Sequence, residues 1–379
     1  MTGIEHVGME RRRFVAALVI GSAGCLSESP PAGNGTNDRG STTERPAETS
    51  SSTAPDIERT STGTDAGPTE TEPTDAETTD TESIGTMTPE PPEIEGAPGD
   101  CPEFGEDVVK VVCYDAAPDD APMVMEPSHS SLDLPGEMEF TLHNGTDSRF
   151  ETNFYSARLH KRVDGEWFIV APQAVPAPLT PLPAGESHTW SVSMSGKVSE
   201  DSTPTVGSGS DTDDTSRRTV GGLGGGRYAF GITGNFRGGS YEQPTAFGAT
   251  VTVRGDPVEL TTTDAVENVT VDGDVLTARW TGGFAESEDA RKATYVLERT
   301  DKTPDVRLIT EQVLQTGGID PPNPTRDALA LITNHDMREV RLTGRTSSLP
   351  PFGIQGRIIE YEGTTYRISA SETGSETDA

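Results

Sequence analysis

Apolar side chains are spread unevenly along this chain of 379 residues. A short apolar run covers residues 14–20, and small residues carry it on to Cys25. Residues 26–100 then hold almost no large apolar side chain beyond Ile57, Ile84, Met87 and Ile94. From Val108 the pattern changes to short runs of alternating apolar and polar positions, the period of a strand with one buried face. These runs predict strands over residues 108–114, 138–142, 154–159, 167–170, 188–192, 227–232 and 249–253. Asn144-Gly145 marks a turn, and Asp164-Gly165 marks a hairpin.

After Pro257 the signals mix. Residues 269–271 and 275–280 flank Asp272-Gly273 and predict a hairpin, and residues 295–299 predict a further strand. Thr303-Pro304-Asp305 has the cap residue and early proline of a helix start, with Val306, Ile309 and Val313 on one face and Gly317-Gly318 at the end. A shorter helix is predicted from Thr325 to His335, then strands over residues 340–342, 357–361 and 365–368.

The expected fold class is therefore mainly β. An antiparallel β-sandwich over residues 101–255 precedes a small α+β domain over residues 256–371, a sheet with two helices on one face. Residues 372–379 read as a disordered tail. Residues 26–100 are Ser, Thr, Glu, Asp, Pro and Gly, with 17 acids and three arginines. Such a segment buries too little apolar surface to offset the entropy of ordering, so residues 25–100 read as a disordered stalk extended by its own charge. Its Thr-Glu, Thr-Asp and Pro pattern resembles an O-glycosylated stalk.

The leader has its own logic. As a helix, residues 14–24 would span ~16 Å at ~1.5 Å per residue, about half of a bilayer core. That excludes a stable spanning anchor. Arg11 and Arg12 before Phe14 and the short apolar run read as a twin-arginine export signal over residues 1–24. Ser22-Ala23-Gly24-Cys25 resembles a lipobox, with Ser22 where the motif usually has Leu. The resemblance implies lipid attachment at Cys25 and retention at the outer face of the cytoplasmic membrane. Twin-arginine export also implies that the chain folds before it crosses.

Charge narrows the function classes. There are 62 acidic residues against 29 basic ones, for a formal net charge of −33. Phosphate contacts need Lys or Arg, so nucleic acid is not an expected partner. Self-repulsion of this size destabilises a compact state at low salt, and a Debye length of ~3 Å at molar salt removes most of it. In this respect the chain resembles twin-arginine lipoproteins of extremely halophilic archaea.

Tyr155 and Leu159, Asp164-Gly165-Glu166-Trp167, Leu182-Pro183-Ala184-Gly185-Glu186 and Gly226-Arg227-Tyr228 together resemble the bacterial Ig-like domains of surface lipoproteins, over about residues 105–255. That resemblance implies a binding or spacer module and supplies no catalytic residues. The chain departs from the pattern by a Gly/Ser/Asp-rich insertion over residues 195–226. With Cys25 assigned to lipid, Cys101 and Cys113 remain as a pair in an oxidising setting, read as a disulfide against the alternative of two buried thiols. Asn34, Asn144 and Asn268 each begin an Asn-x-Thr sequon and are candidate glycan sites, although such triplets also arise by chance in a Thr-rich chain.

No H-E-x-x-H, G-x-S-x-G or C-x-x-C motif is present. The glycines at 221, 222 and 224–226 lack the Lys-Ser/Thr of a phosphate loop and read as a flexible loop. Asp211, Asp213 and Asp214 lack the glycine and distal Glu of a calcium loop. Trp167, Trp190, Tyr228 and Phe230 read as core. Arg254-Gly255-Asp256 reads as a chance triplet and His335-Asp336 as a helix end. Arg338, Arg341, Arg345, Arg357 and Arg367 read as pairing with the surrounding acids. The expected function is a non-catalytic cell-surface binding or structural module without cofactor, meeting a protein or glycan at the surface. The alternatives are a solute-binding lipoprotein of a transporter and a secreted hydrolase.

Overall fold

The computed structural model describes residues 90–172, 178–198, 216–282, 288–315, 324–354 and 356–373. Among them the first part is built from β1 (Lys110–Cys113), β2 (Met123–Pro127), β3 (Ser131–Asp133), β4 (Gly136–Asn144), β5 (Phe150–Thr152), β6 (Arg158–Val163), β7 (Glu166–Ala171), β8 (Thr180–Leu182), β9 (Ser187–Met194), β10 (Arg217–Val220), β11 (Gly226–Phe236) and β12 (Thr245–Arg254). They form two sheets. One runs β1-β12-β11-β5-β8, with β3 on β12 and the β6–β7 hairpin on β11; the other runs β10-β9-β4-β2.

Alternation explains how the sheets meet. In β4 the inward residues are Met138, Phe140 and Leu142, and in β9 they are Trp190, Val192 and Met194. Opposite them lie Tyr228, Phe230 and Ile232 of β11. Phe140 stacks on Phe230 with ring centroids 4.5 Å apart, and Trp190 meets the same ring edge-on at 5.6 Å. Trp190, Tyr228 and Phe230 are thus core, as their positions predict. Trp167 is not. It is half-buried on the outer face beside Arg162, whose guanidinium lies 5.8 Å from its ring.

Three local expectations change. Residues 154–156 form a 3-10 turn, not a strand, because the Asn153 side chain accepts the Tyr155 N–H at 3.0 Å and curls the chain between β5 and β6. The sandwich also has parallel edges: β1 and β3 pair parallel to β12, and β10 to β9. Its folded chain begins upstream of Cys101, since Ile94 is buried in the core and Ala97 bridges Val112.

The second part has β13 (Val266–Asp272), β14 (Val275–Trp280), β15 (Arg291–Arg299), β16 (Val306–Leu308), β17 (Glu339–Thr346), β18 (Arg357–Tyr361) and β19 (Thr364–Glu372). Their order is β13-β14-β17-β15-β19-β18-β16. Helix α2 (Thr325–Asn334) packs on β15 and β17, its residues Thr325 to Ile332 all buried. The helix start expected at Thr303-Pro304-Asp305 is instead the approach to β16. There Asp305 accepts the Ile358 N–H at 2.8 Å and the chain pairs with β18. Helix α1 (Thr310–Gln315) follows, short and packed against β7.

Candidate functional site

Three constellations of polar side chains organise the described residues. The first lies where the acidic, apolar-poor segment enters the fold. Ala97 donates its N–H to Val111 and accepts one from Cys113, both at 2.8 Å. Cys101 and Cys113 form a disulfide, with Cα atoms 5.8 Å apart. Asp100 pairs with Arg162 of β6 and, at 3.1 Å, with Arg227 of β11. Asp115 accepts the Thr250 hydroxyl, which also receives a hydrogen bond from Arg227 at 3.0 Å. Within the strap that these contacts hold, residues 97–115, Phe104 packs on the outer face of the sheet against Ala229 and Ala246. Gly248 makes room for it, since a Cβ there would stand 2.3 Å from the Phe104 ring. Beneath Phe104 is His160, met edge-on with centroids 5.2 Å apart. Burial pushes the His160 imidazole down to about 3, and its Nδ1 has no hydrogen-bond partner among the described residues.

The second constellation joins the sandwich to α1. Glu311 of α1 is buried and pairs with Lys161 of β6. The same carboxylate oxygen accepts the Gly224 N–H at 3.2 Å. Gln315 donates to the Gly221 carbonyl at 2.6 Å, and Gln312 donates to the Ile169 carbonyl at 3.0 Å. Tyr228 donates to the Gly224 carbonyl at 2.7 Å while the Lys161 ammonium lies 5.6 Å from its ring. At the rim Arg307 reaches Asp164 and Glu166 across from β16. A buried ion pair holds only where hydrogen bonds complete it, and the glycine backbone supplies one here. The glycine run at residues 221–226 is therefore no flexible loop. At Gly225 a Cβ would stand 2.4 Å from the Gly255 carbonyl oxygen, an approach that a side chain would forbid.

A third polar knot sits inside the sandwich. Arg218 of β10 and the Trp190 indole both donate to the Phe154 carbonyl, at 2.6 and 3.1 Å. His188 stacks on Phe154 with centroids 3.8 Å apart. Desolvation lowers His188 to about 4 and Arg218 to about 10. The knot ties the 3-10 turn to the opposite sheet.

The residues singled out by the sequence separate clearly. Arg11, Arg12, Phe14, Cys25 and Asn34 lie outside the described residues, as do Asp211, Asp213 and Asp214. Asn144 is buried. Its amide nitrogen donates to the carbonyls of Ser148, Leu182 and Pro183, and its oxygen accepts from Thr146. Asn144 thus works as the peg of a turn, and a glycan on its nitrogen would break that network. Asn268 is exposed on β13. Arg254 grips Asp133 through two nitrogens, at 2.7 and 2.9 Å, which occupies the Arg-Gly-Asp triplet structurally. Asp336 pairs with Arg299, Arg341 with Glu339, and Arg367 with Glu298. Arg345 donates to the Ala290 carbonyl at 2.6 Å. Among the described residues no three His, Cys, Asp or Glu side chains gather to hold a metal ion, and no helix is long and apolar enough to cross a membrane. Asp100, Phe104, Lys161 and Glu311 were not signalled individually. The glycine run is the sequence trace of Lys161 and Glu311, and the Cys101–Cys113 pair is that of Asp100 and Phe104.

No family model and no curated protein matches the chain. Among solved structures it is similar to E. coli α2-macroglobulin in its native conformation, at 12% identity and a TM-score of 0.20, over 47% of this chain and 9% of that one. It is also similar to the β-glucosidase of Listeria innocua in complex with gluconolactone, at 14% identity and a TM-score of 0.16, over 36% of this chain and 17% of that one. The chain thus spans less than a fifth of either protein. Likenesses this slight carry no argument about function.

Proposed function

We propose that this chain is an exported, lipid-anchored surface protein whose folded part is a non-catalytic binding or structural module. In this reading residues 1–24 direct twin-arginine export and are removed. Cys25 carries the lipid at the outer face of the cytoplasmic membrane, and residues 26–93 form the stalk. The observation that carries the reading is the Cys101–Cys113 disulfide at the point where that stalk meets the fold. Disulfides persist in oxidising compartments, and here one secures the end of the chain on which a tether would pull. The ion pairs of Asp100 and the seating of Phe104 reinforce the same end. The Ig-like reading of residues 101–255 draws support from Tyr228, whose hydroxyl bonds to a carbonyl four residues upstream as in a tyrosine corner. Acidic solvated surfaces suit work in strong salt.

Fractionation of cells grown in their own salt tests the anchor. The intact chain is expected in the membrane fraction and Cys25→Ser in the medium. An Arg11→Lys, Arg12→Lys variant is expected to stay inside with its leader. Membrane retention of Cys25→Ser would defeat the anchor reading.

A further inference from the structure

We infer that Asn268 is the N-glycan acceptor of the folded domains, selected over Asn144 because the chain folds before it meets the glycosylating enzyme. The inference rests on the export reading above. In a chain exported folded, a sequon serves only if its amide is accessible in the native state. Asn144 fails that condition, since it is 1% exposed and its nitrogen is engaged by three carbonyls. Its sequon partner Thr146 is buried too.

Asn268-Val269-Thr270 meets the condition on three counts. All three residues are exposed. β13 is the terminal strand of its sheet, so one side of its backbone faces no neighbouring strand. The ladder to β14 also slips at this point: Glu267 pairs with Arg279 and Thr270 with Thr277, so Asn268 and Val269 together oppose Ala278. At this slip Asn268 takes the left-handed conformation, φ 52°, which asparagine adopts more readily than most residues. A bulge on an edge lifts backbone out of the ladder, and an enzyme's acceptor cleft needs such a segment. The Thr270 hydroxyl makes only a long contact, 3.3 Å to the Thr277 carbonyl, which leaves it available to the enzyme.

The donor is a lipid-phosphate-linked oligosaccharide. The Asn268 amide nitrogen forms a bond to the anomeric carbon, and the bond from that carbon to the phosphate oxygen breaks. The lipid phosphate leaves with the electron pair, and the amide proton passes to a base of the enzyme. The product shields a strand edge on which Val269 and Val271 stand 45% and 55% exposed, a place where another chain could otherwise add.

The test is peptide mass spectrometry of the membrane-bound full chain from its own cells. With the Cys101–Cys113 disulfide reduced, trypsin isolates Asn268 in the peptide of residues 255–279 and Asn144 in that of residues 111–149, apart from the stalk peptide of residues 60–110. A sugar increment is expected on the first peptide alone. It should vanish completely in Asn268→Gln and in Thr270→Val, and persist in Thr270→Ser. Thr270→Val is the sharper variant, because it keeps the bulge asparagine and removes only the acceptor signal. An exported chain with an unmodified 255–279 peptide overturns this inference and leaves the export reading standing. A sugar on the 111–149 peptide overturns selection by folding. A chain found only inside cells with its leader intact overturns both readings.

Discussion

At the scale of single residues, burial governs chemistry. His160 is buried on the outer face of β6 against the Phe104 ring, and burial, with the nearby Arg158 charge, holds it neutral far below the ordinary imidazole value of about 6.5. The sign follows directly. An unfolded chain takes up a proton here as pH falls below about 6.5, and the folded chain does not until pH nears 3. Stability is therefore full above about pH 6.5 and falls by up to about 1.4 kcal/mol per pH unit as pH drops toward 3. His188, lowered to about 4 by desolvation and by Arg218, pulls in the same direction. Denaturant unfolding at pH 6.5 and pH 5, at constant salt, should show His160→Leu losing less stability than the parent by roughly one proton's worth. Equal losses would mean that His160 is not the buried neutral group described above.

Elements show where local pattern suffices and where it does not. The alternating strands β4 and β9 are legible in the sequence because each has one face in the core; β11 and β12, buried on both faces over much of their length, are legible because large apolar residues alternate with small ones, and α2 is legible from its apolar period. Short edge strands such as β8 and β10 are not, since three or four residues carry too little periodicity, and Pro181 in β8 argues locally against a strand. The glycine run at residues 221–226 misleads for a different reason. Glycine marks both mobile loops and close packing, and the partners that decide here, Gly255 and Glu311, are distant in sequence. The disulfide is legible from cysteine count and setting, whereas the strap it closes over His160 depends on tertiary contacts. The joint itself yields a prediction. Glu311→Gln leaves the Lys161 ammonium buried without its carboxylate and is expected to cost about 3–5 kcal/mol. Lys161→Met combined with Glu311→Leu removes both charges and should cost clearly less. Chemical denaturation of the three chains measures this, and a loss below about 1 kcal/mol for Glu311→Gln would show a solvated joint.

At the scale of the whole molecule, charge balance decides the conditions under which the fold persists. Two opposing effects of salt compete. Exposed pairs such as Arg254–Asp133, Arg299–Asp336 and Arg279–Glu267 contribute little each, and salt screens them. Against them stands the mutual repulsion of a chain with 33 negative charges in excess, which salt also screens. The pairs are few and individually weak, whereas every excess carboxylate repels all the others within a Debye length. Relief of repulsion therefore wins. The melting temperature should rise with potassium chloride, most steeply between 0.1 M and 1 M, where the Debye length shrinks from about 10 Å to about 3 Å, and level off beyond. The buried Lys161–Glu311 pair is shielded from salt and should hold the joint across that range. Calorimetry over a salt series provides the measurement. A melting temperature that falls with salt would show exposed ion pairs dominating, and the acidity would then need a cause other than a saline setting.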